Sequence, residues 1–390
     1  MKLSIVGLGQ CGCNIADVFY QVSRYSQSFF NRRINIVTDT FAINTDEADL
    51  GGFKHIPKDK GHRILIGTMA TFGHGVGKVN IDAASIIKST NSVVIDTVLR
   101  SPRFHESDAV LVIASSGGGT GSGTIGWTIK ALKERTEKPV YALLVLPFAF
   151  EEKGEASYAV INSAICINTV SRYADATFLF DNECHRKINS NLTKNLEGIN
   201  QEIVMNFYDL CCAGEEKRQK FVGNKVIDAG DIKQSLSGIS AIGRGEVALP
   251  MFRFSKGNYR QGIKENSQVF SALRQAETNL GLNVDLEQTR KILILVTSPK
   301  DFLSTAVLEE IFSYFDRKAP KAVIRIGDYP RRDREVSITI IASELVMVSR
   351  LTRIFIQAEN SLKKREEISR ETSAKIELMQ EISQRIPFLD

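Results

Sequence analysis

The chain reads as a doubly wound, Rossmann-like α/β protein with a second, smaller α/β unit and a long terminal helix. Three observations carry this reading. In the first half, wholly apolar runs such as Ala109–Ala114 and Val140–Leu146 alternate with helical patterns, as strands of a parallel sheet covered on both faces do. Loops of small residues follow the first strand and the run ending at Ala114. After an amphipathic stretch, Ile199–Cys212, strands and helices resume as a new set.

Strands are expected at Leu3–Val6, Ile34–Val37, Ile64–Ile66, Val110–Ile113, Val140–Leu146 and Thr177–Phe180. Helices are expected at Cys13–Arg24, Asn80–Leu99, Ile125–Arg135 and Ala156–Tyr173. In such a sheet, ligands sit beyond the carboxyl ends of the strands. Ile199, Ile203, Phe207, Leu210 and Cys211 share one helical face, which suits a helix connecting two units. The second unit is expected to hold strands Val247–Phe254, Ile292–Val296, Val323–Ile326 and Val336–Ile341, with helices such as Leu303–Phe315. Glu344–Arg385 has no Gly or Pro and reads as one helix, anchored by Leu345, Val348, Leu351 and Phe355. Its charged run Lys363–Glu367 reads as a solvated face. The expected boundaries are 1–198, 199–222 for the connecting helix, 223–343, and 344–390.

Composition narrows the function. With 390 residues, 43% apolar and 24% charged, the chain can bury full cores. A net charge of +5 gives no case for nucleic acid or a membrane surface. No apolar run is long enough to span a bilayer, and Met1–Val6 enters a strand directly, so a cytoplasmic location is expected. Cys11 and Cys13 lack a second pair with ligand spacing, so no metal is assigned to them.

Ser115–Thr124 is the most informative segment: a buried strand, then Ser-Ser-Gly-Gly-Gly-Thr-Gly-Ser-Gly-Thr, then a helix. Glycines let backbone N–H groups approach phosphate oxygens, and the helix amino terminus adds positive partial charge. Thr120, Ser122 and Thr124 supply hydroxyls. Gly117–Gly123 resembles the signature loop of the tubulin and FtsZ superfamily of GTPases.

The other loops extend the resemblance. Gly7, Gly9 and Gly12 form GxGxxG, which alone says dinucleotide fold; with Asp39 as the ribose acid it would suit an NAD-dependent oxidoreductase. That alternative leaves the second glycine loop unexplained. Gln10-Cys11-Gly12 instead resembles the tubulin loop, and the amides of Gln10, Cys11, Gly12, Cys13 and Asn14, with Gly9, would then hold phosphates. Ala42-Ile43-Asn44-Thr45-Asp46 resembles an FtsZ loop residue for residue, implying Asn44 and Asp46 near the phosphates, with Asp46 holding a magnesium-bound water. Asp46 also suits a helix cap. Gly73-His74-Gly75-Val76-Gly77 resembles the archaeal CetZ branch and implies Gly75 near the γ-phosphate; a plain turn is the alternative. Pro147-Phe148-Ala149-Phe150-Glu151 resembles FtsZ and implies Glu151 at the ribose, although Glu155 stands where FtsZ has Arg.

Phe180-Asp181-Asn182-Glu183 resembles tubulin, implying that Asn182 reads guanine, with Asn200 as a second base contact or a helix N-cap. Asp228 and Asp231 match the two acids of the FtsZ catalytic loop, with Val226 in place of its Asn. In the family this loop enters the next subunit's site, so the two acids would position the attacking water there; as bare sequence they look like first-turn helix acids.

The resemblance covers Lys2 to about Ala342 and is closest to CetZ. It implies a cytoskeletal GTPase that binds GTP or GDP with Mg²⁺ through phosphates and water, and that assembles with itself head to tail. It further implies control of cell shape, with any membrane link made indirectly through adaptors. An FtsZ-type division role and a nucleotide-binding relative with little hydrolysis are the alternatives. Ile386–Asp390 is similar to the FtsZ terminal peptide, but no linker precedes it.

Overall fold

The computed structural model describes residues 1–28, 31–154, 157–186, 191–249, 259–300 and 302–383. Glu155, Ala156, the end of the expected strand at Phe254 and the Ile386–Asp390 peptide lie outside these residues.

The strands are β1 Leu3–Leu8, β2 Val37–Asn44, β3 Arg63–Leu65, β4 Ala109–Ser115, β5 Val140–Leu146, β6 Ala176–Asp181, β7 Gly238–Ala248, β8 Lys291–Pro299, β9 Val323–Arg331 and β10 Glu335–Ser343. The helices are α1 Gly9–Gln27, α2 Glu47–Gly51, α3 Thr68–Thr71, α4 Asn80–Leu99, α5 Thr120–Lys133, α6 Tyr158–Val170, α7 Leu192–Ala213, α8 Ala229–Ser235, α9 Tyr259–Thr278, α10 Thr305–Lys318 and α11 Ser349–Ser383. They build a ten-stranded sheet in the order β3-β2-β1-β4-β5-β6-β7-β10-β8-β9. From β3 to β6 it is parallel. The chain winds outward from β1 to β3, then returns to β4 and winds the other way. The crevice between β1 and β4 is therefore the topological switch point.

Alternation along β1 and β4 sorts side chains onto two faces. Leu3, Ile5, Leu111 and Ile113 pack with Ile15 and Phe19 of α1 and Ile203 and Phe207 of α7. Val6, Leu8, Val110 and Val112 pack with Ile87 of α4 and Ile125 and Ile129 of α5. Each fully buried Leu, Ile or Phe contributes about 1.5–3 kcal/mol, so both faces are covered and the switch point is held rigidly.

A short parallel register, Ala176↔Gly238 to Phe178↔Ser240, carries the sheet into the second unit. Helix α7 reinforces that junction through Asp209, which is fully buried. Its carboxylate meets Arg32 at 2.5 Å and Arg244 at 2.8 Å and accepts a hydrogen bond from Ser337 at 2.9 Å. Burial alone would push its pKa up, but the two guanidiniums hold it well below the usual carboxylate range.

Several expectations need correction. The second strand is Val37–Asn44 rather than Ile34–Val37, so Ala42–Asn44 belong to a strand and not to a loop. Helix α5 starts at Thr120, which leaves only Ser116–Gly119 as the loop. Helix α7 starts at Leu192 and is capped by Asn191, whose side chain accepts from the Thr193 amide; Asn200 is therefore an interior helix residue, not a cap. Strand β7 runs Gly238–Ala248 rather than from Val247. Phe355 is 40% exposed, and Ile354 and Ala358 anchor α11 in its place.

Candidate functional site

At the carboxyl ends of β1, β2 and β4, four segments converge on a cavity of about 290 Å³. Gly9, Gln10 and Cys11 come from α1; Asn44, Asp46 and Asp49 from β2 and α2; Gly75 to Lys78 from the loop before α4; and Gly118 to Gly121 from the start of α5. Both α1 and α5 therefore point their amino termini at this space. The first-turn amides of a helix have no helical acceptor, so those of Gly9–Cys11 and Thr120–Ser122 suit an anion.

Close backbone packing creates the arrangement. A Cβ on Gly12 would lie 2.1 Å from the Ile113 carbonyl oxygen, so only glycine lets α1 start against β4. The loop before α4 alternates left-handed glycines, with φ of 79° at Gly73, 76° at Gly75 and 56° at Gly77. It is tied to the β2–α2 turn by hydrogen bonds from the Glu47 amide to the Gly73 carbonyl (3.1 Å) and from the Gly75 amide to the Thr45 carbonyl (3.3 Å).

Not every expected residue faces the cavity. Gly12, Cys13 and Asn14 lie further along α1; the Cys13 thiol is buried and donates to the Gly7 carbonyl at 3.3 Å. Past the first turn, the amides of Cys13 and Asn14 belong to the helical ladder. The hydroxyls of the glycine-rich segment are spent inside the protein. Thr120 meets Thr45 at 2.7 Å, Ser122 donates to the Gly118 and Gly119 carbonyls, and Thr124 donates to the Thr120 carbonyl at 2.7 Å. Asn44 is likewise used: its amide donates to Asp49 at 2.9 Å and its oxygen accepts from the Thr45 amide at 2.8 Å.

Asp46 caps α2, accepting from the Asp49 amide at 3.0 Å. Burial, then the Asp46 charge, push the Asp49 carboxyl up, against the opposing bond from Asn44. Asp46 and Asp49 thus set two neighbouring carboxyl groups at the edge of the cavity. Among the described residues no group of three or more His, Cys, Asp or Glu could hold a metal unaided.

Glu151, Asn182 and Asn200 sit outside the cavity. The Glu151 carboxylate accepts from the Phe148 amide at 2.9 Å. It is close enough to Cys11 that, after burial, it helps push that thiol up to about 12. Asn182 extends β6, its amide reaching the Leu146 carbonyl at 3.4 Å, and it is 9% exposed. Among the described residues its carboxamide has no protein partner. Asn200 is half-buried within α7.

Asp228 and Asp231 form a reciprocal capping box at the start of α8. The Asp231 amide donates to Asp228 at 2.8 Å, and Arg325 donates to the Asp231 carbonyl at 3.1 Å. This loop lies at the other end of β1: a Cβ on Gly214 would be 3.3 Å from the Asp228 Cα and 3.5 Å from the Met1 nitrogen. From Met1 to Leu8 the strand spans roughly 20 Å.

Asp39, the acid that a dinucleotide reading needs at a strand end, sits early in β2, bound to His62 at 3.1 Å and to Ser101. And Asn162 of α6, singled out by no motif, donates to the Lys78 (2.9 Å), Gly118 (3.0 Å) and Gly117 (3.3 Å) carbonyls, which fixes both phosphate-facing loops.

Two helix amino termini and two backbone loops meeting at the switch point define a nucleotide-phosphate site of the GTPase class. Residues 2–190 match the family model for the Tubulin/FtsZ family, GTPase domain, and residues 189–360 match that for the tubulin-like CetZ, C-terminal domain. Tubulin-like protein CetZ3 of Haloferax volcanii is 30% identical over 365 residues, 91% of this chain and 90% of its own. CetZ1 of the same organism is 30% identical over 382 residues, 93% of each. The chain belongs to the CetZ family of tubulin-like GTPases. Its fold is similar to the structure of CetZ1 from Haloferax volcanii as a GDP-bound monomer, with TM-score 0.79, 28% identity, and coverage of 94% of this chain and 100% of that one. It is equally similar to CetZ2 from Haloferax volcanii as a GTPγS-bound protofilament, with TM-score 0.79, 25% identity and the same coverage. Among the described residues no helix is long and apolar enough to cross a membrane.

Proposed function

We propose that the chain binds a guanine nucleotide at the β1–β4 switch point and hydrolyses GTP at the junction between two copies joined head to tail. The observation that carries this is the separation of the two halves of the site. The phosphate-facing amides lie beyond Leu8, whereas Asp228, which caps α8 together with Asp231, lies near Met1, roughly 20 Å away along β1. Neither carboxylate reaches its own cavity, so a second copy must supply them. The GDP-bound and GTPγS-bound CetZ relatives support the ligand class and the filament.

On this reading the first-turn amides of Gly9, Gln10 and Cys11 and of Thr120, Gly121 and Ser122 hold phosphates, with Gly75, Gly118 and Gly119 closing around them. Glu151 meets the ribose, and Asn182 and Asn200 read the base. Asp46, backed by Asp49, would hold Mg²⁺ through water; the ion would offset γ-phosphate charge. Asp228 and Asp231 of the neighbour orient water for in-line attack, which is positioning and electrostatics rather than covalent catalysis. The division of labour is a GTP-binding unit to residue 198, the connecting segment 199–222, an activation unit 223–343 and the terminal helix. Family membership favours a role in cell shape over division.

A weakly hydrolysing relative is the second reading. Both acids are engaged in the capping box, and Val226 beside them is 43% exposed with no polar group to offer. Phosphate release measured across protein concentrations separates the two. Activity per molecule that climbs steeply with concentration supports trans hydrolysis. Bound GTP that stays intact in assembled filaments supports the second reading. ATP binding as tight as GTP binding would overturn the guanine assignment.

A further inference from the structure

Arg350 lies in the first turn of α11, where a cation opposes the helix dipole. It is nevertheless 7% exposed and fully engaged. Its Nε donates to Asp181 at 2.7 Å, its Nη1 donates to Glu152 at 3.0 Å, and its Nη2 reaches the Pro147 carbonyl at 3.2 Å and the other Glu152 oxygen. Asp181 immediately precedes Asn182, and Glu152 immediately follows Glu151. One planar guanidinium thus ties together the β5–α6 loop and the end of β6. The Asp181 and Glu152 side chains it pairs are 6% and 7% exposed, so water is a poor alternative partner for either. Val348, Leu351 and Ile354 are buried and anchor the start of the helix that carries Arg350.

We propose that Arg350 is a positioning residue for nucleoside recognition, through which the carboxyl-terminal helix sets the spacing between Glu151 and Asn182. This rests on the guanine-nucleotide reading above. Among the described residues no hydrogen bond or ion pair joins Arg350 to the phosphate-facing segments 73–78 and 116–121; its nearest link to them is the Pro147 carbonyl, whose ring packs beside Gly117, so a bare triphosphate should feel its loss far less than a nucleoside does. The fork geometry matters: a lysine can satisfy one carboxylate as a point charge but not bridge both with the backbone carbonyl.

The test compares binding of GTP and of inorganic tripolyphosphate to the full chain. Wild type should prefer GTP. Arg350→Met should weaken GTP binding roughly 10-fold, the scale of one lost buried polar contact, and leave tripolyphosphate nearly unchanged; Arg350→Lys should fall between. Because Arg350→Met leaves two buried carboxylates without their cation, Asp181 keeping only the Glu183 amide at 3.1 Å, the neutral triple variant Arg350→Met/Asp181→Asn/Glu152→Gln serves if the single one does not fold. It should melt near the wild-type temperature and keep the same nucleoside-specific loss. A folded variant that binds GTP as wild type does, or that loses GTP and tripolyphosphate in parallel, overturns the positioning role alone. A wild-type protein that binds GTP no better than tripolyphosphate overturns the guanine reading, and this proposal with it.

Discussion

The hydroxyls of Thr45 and Thr120 lie 2.7 Å apart and join the β2–α2 turn to the first turn of α5 across the phosphate cavity. Thr45 is fully buried, so Thr120 is what satisfies its hydroxyl. Thr120→Val keeps the shape and removes the partner. The expected cost is about 1–3 kcal/mol for the stranded hydroxyl, read by urea denaturation, together with weaker nucleotide binding. Unchanged stability would mean that the bridge is incidental.

Asn162 is the second brace. Asn162→Leu removes a donor from three carbonyls of the two phosphate-facing loops, of which Gly118 keeps the Ser122 hydroxyl. Nucleotide affinity should fall about 10-fold or more, with a stability loss of about 1–3 kcal/mol. Hydrogen exchange should localise the loosening to residues 73–78 and 116–119; protection unchanged there would refute the bracing role.

Gly119→Val should abolish nucleotide binding while the circular dichroism spectrum stays native. The reason is space and not backbone strain, because Gly119 has an ordinary φ of −85°. An added Cβ would lie 2.7 Å from the Val76 side chain and 2.9 Å from the Lys78 Cα, pushing the neighbouring loop into the cavity. Even Gly119→Ala should therefore bind measurably less well, which a plain φ argument would not predict.

The capping and catalytic roles of Asp228 can be separated. Asn is as good an N-cap as Asp, so Asp228→Asn should keep α8 intact. Turnover should still fall if the carboxylate orients water. Asp228→Ala should lose turnover and also about 0.5–2 kcal/mol of stability. Mixing Asp231→Ala with Gly119→Val subunits should restore some phosphate release, since one supplies the cavity and the other the acids. Full activity in Asp228→Asn would reduce the pair to helix caps.

His62 predicts a pH dependence. Its hydrogen bond to Asp39 raises its pKa to about 9, against burial and with help from Asp59. A histidine raised in the folded state stabilises fully below its ordinary value of 6.5, and that contribution fades as pH rises through about 9. The melting temperature of wild type should fall across this window relative to His62→Gln. Parallel profiles for the two proteins would remove His62 from the account.

The legible parts of the sequence were those where one signal dominates. Strands β4 and β5 are unbroken apolar runs, and their burial is complete or nearly so. Strand β2 is hard to place from sequence because Thr38, Asp39 and Thr40 break the apolar pattern, yet Thr38 and Thr40 are buried and Asp39 is satisfied by His62 and Ser101. Strand β7 was hidden by Gly243 and Gly245, which the sheet needs: a Cβ there would lie 2.4 Å and 2.1 Å from carbonyl oxygens of α9. The glycine-rich segments were readable because backbone approach to phosphate demands a local pattern. Asn162 and Arg350 were not, since their partners lie up to 84 and 203 positions away in the chain. No local spacing records such contacts.

The buried carboxylate of Asp209 has a mechanical consequence. One of its arginines, Arg32, precedes β2, while the other, Arg244, and Ser337 belong to the strands of the second unit. A rotation that opened the hinge at α7 would have to leave a charge in the dry interior, and such a state is costly at every intermediate angle. Asp209 therefore couples the two halves of the molecule across α7, so that gradual flexing between them is penalised.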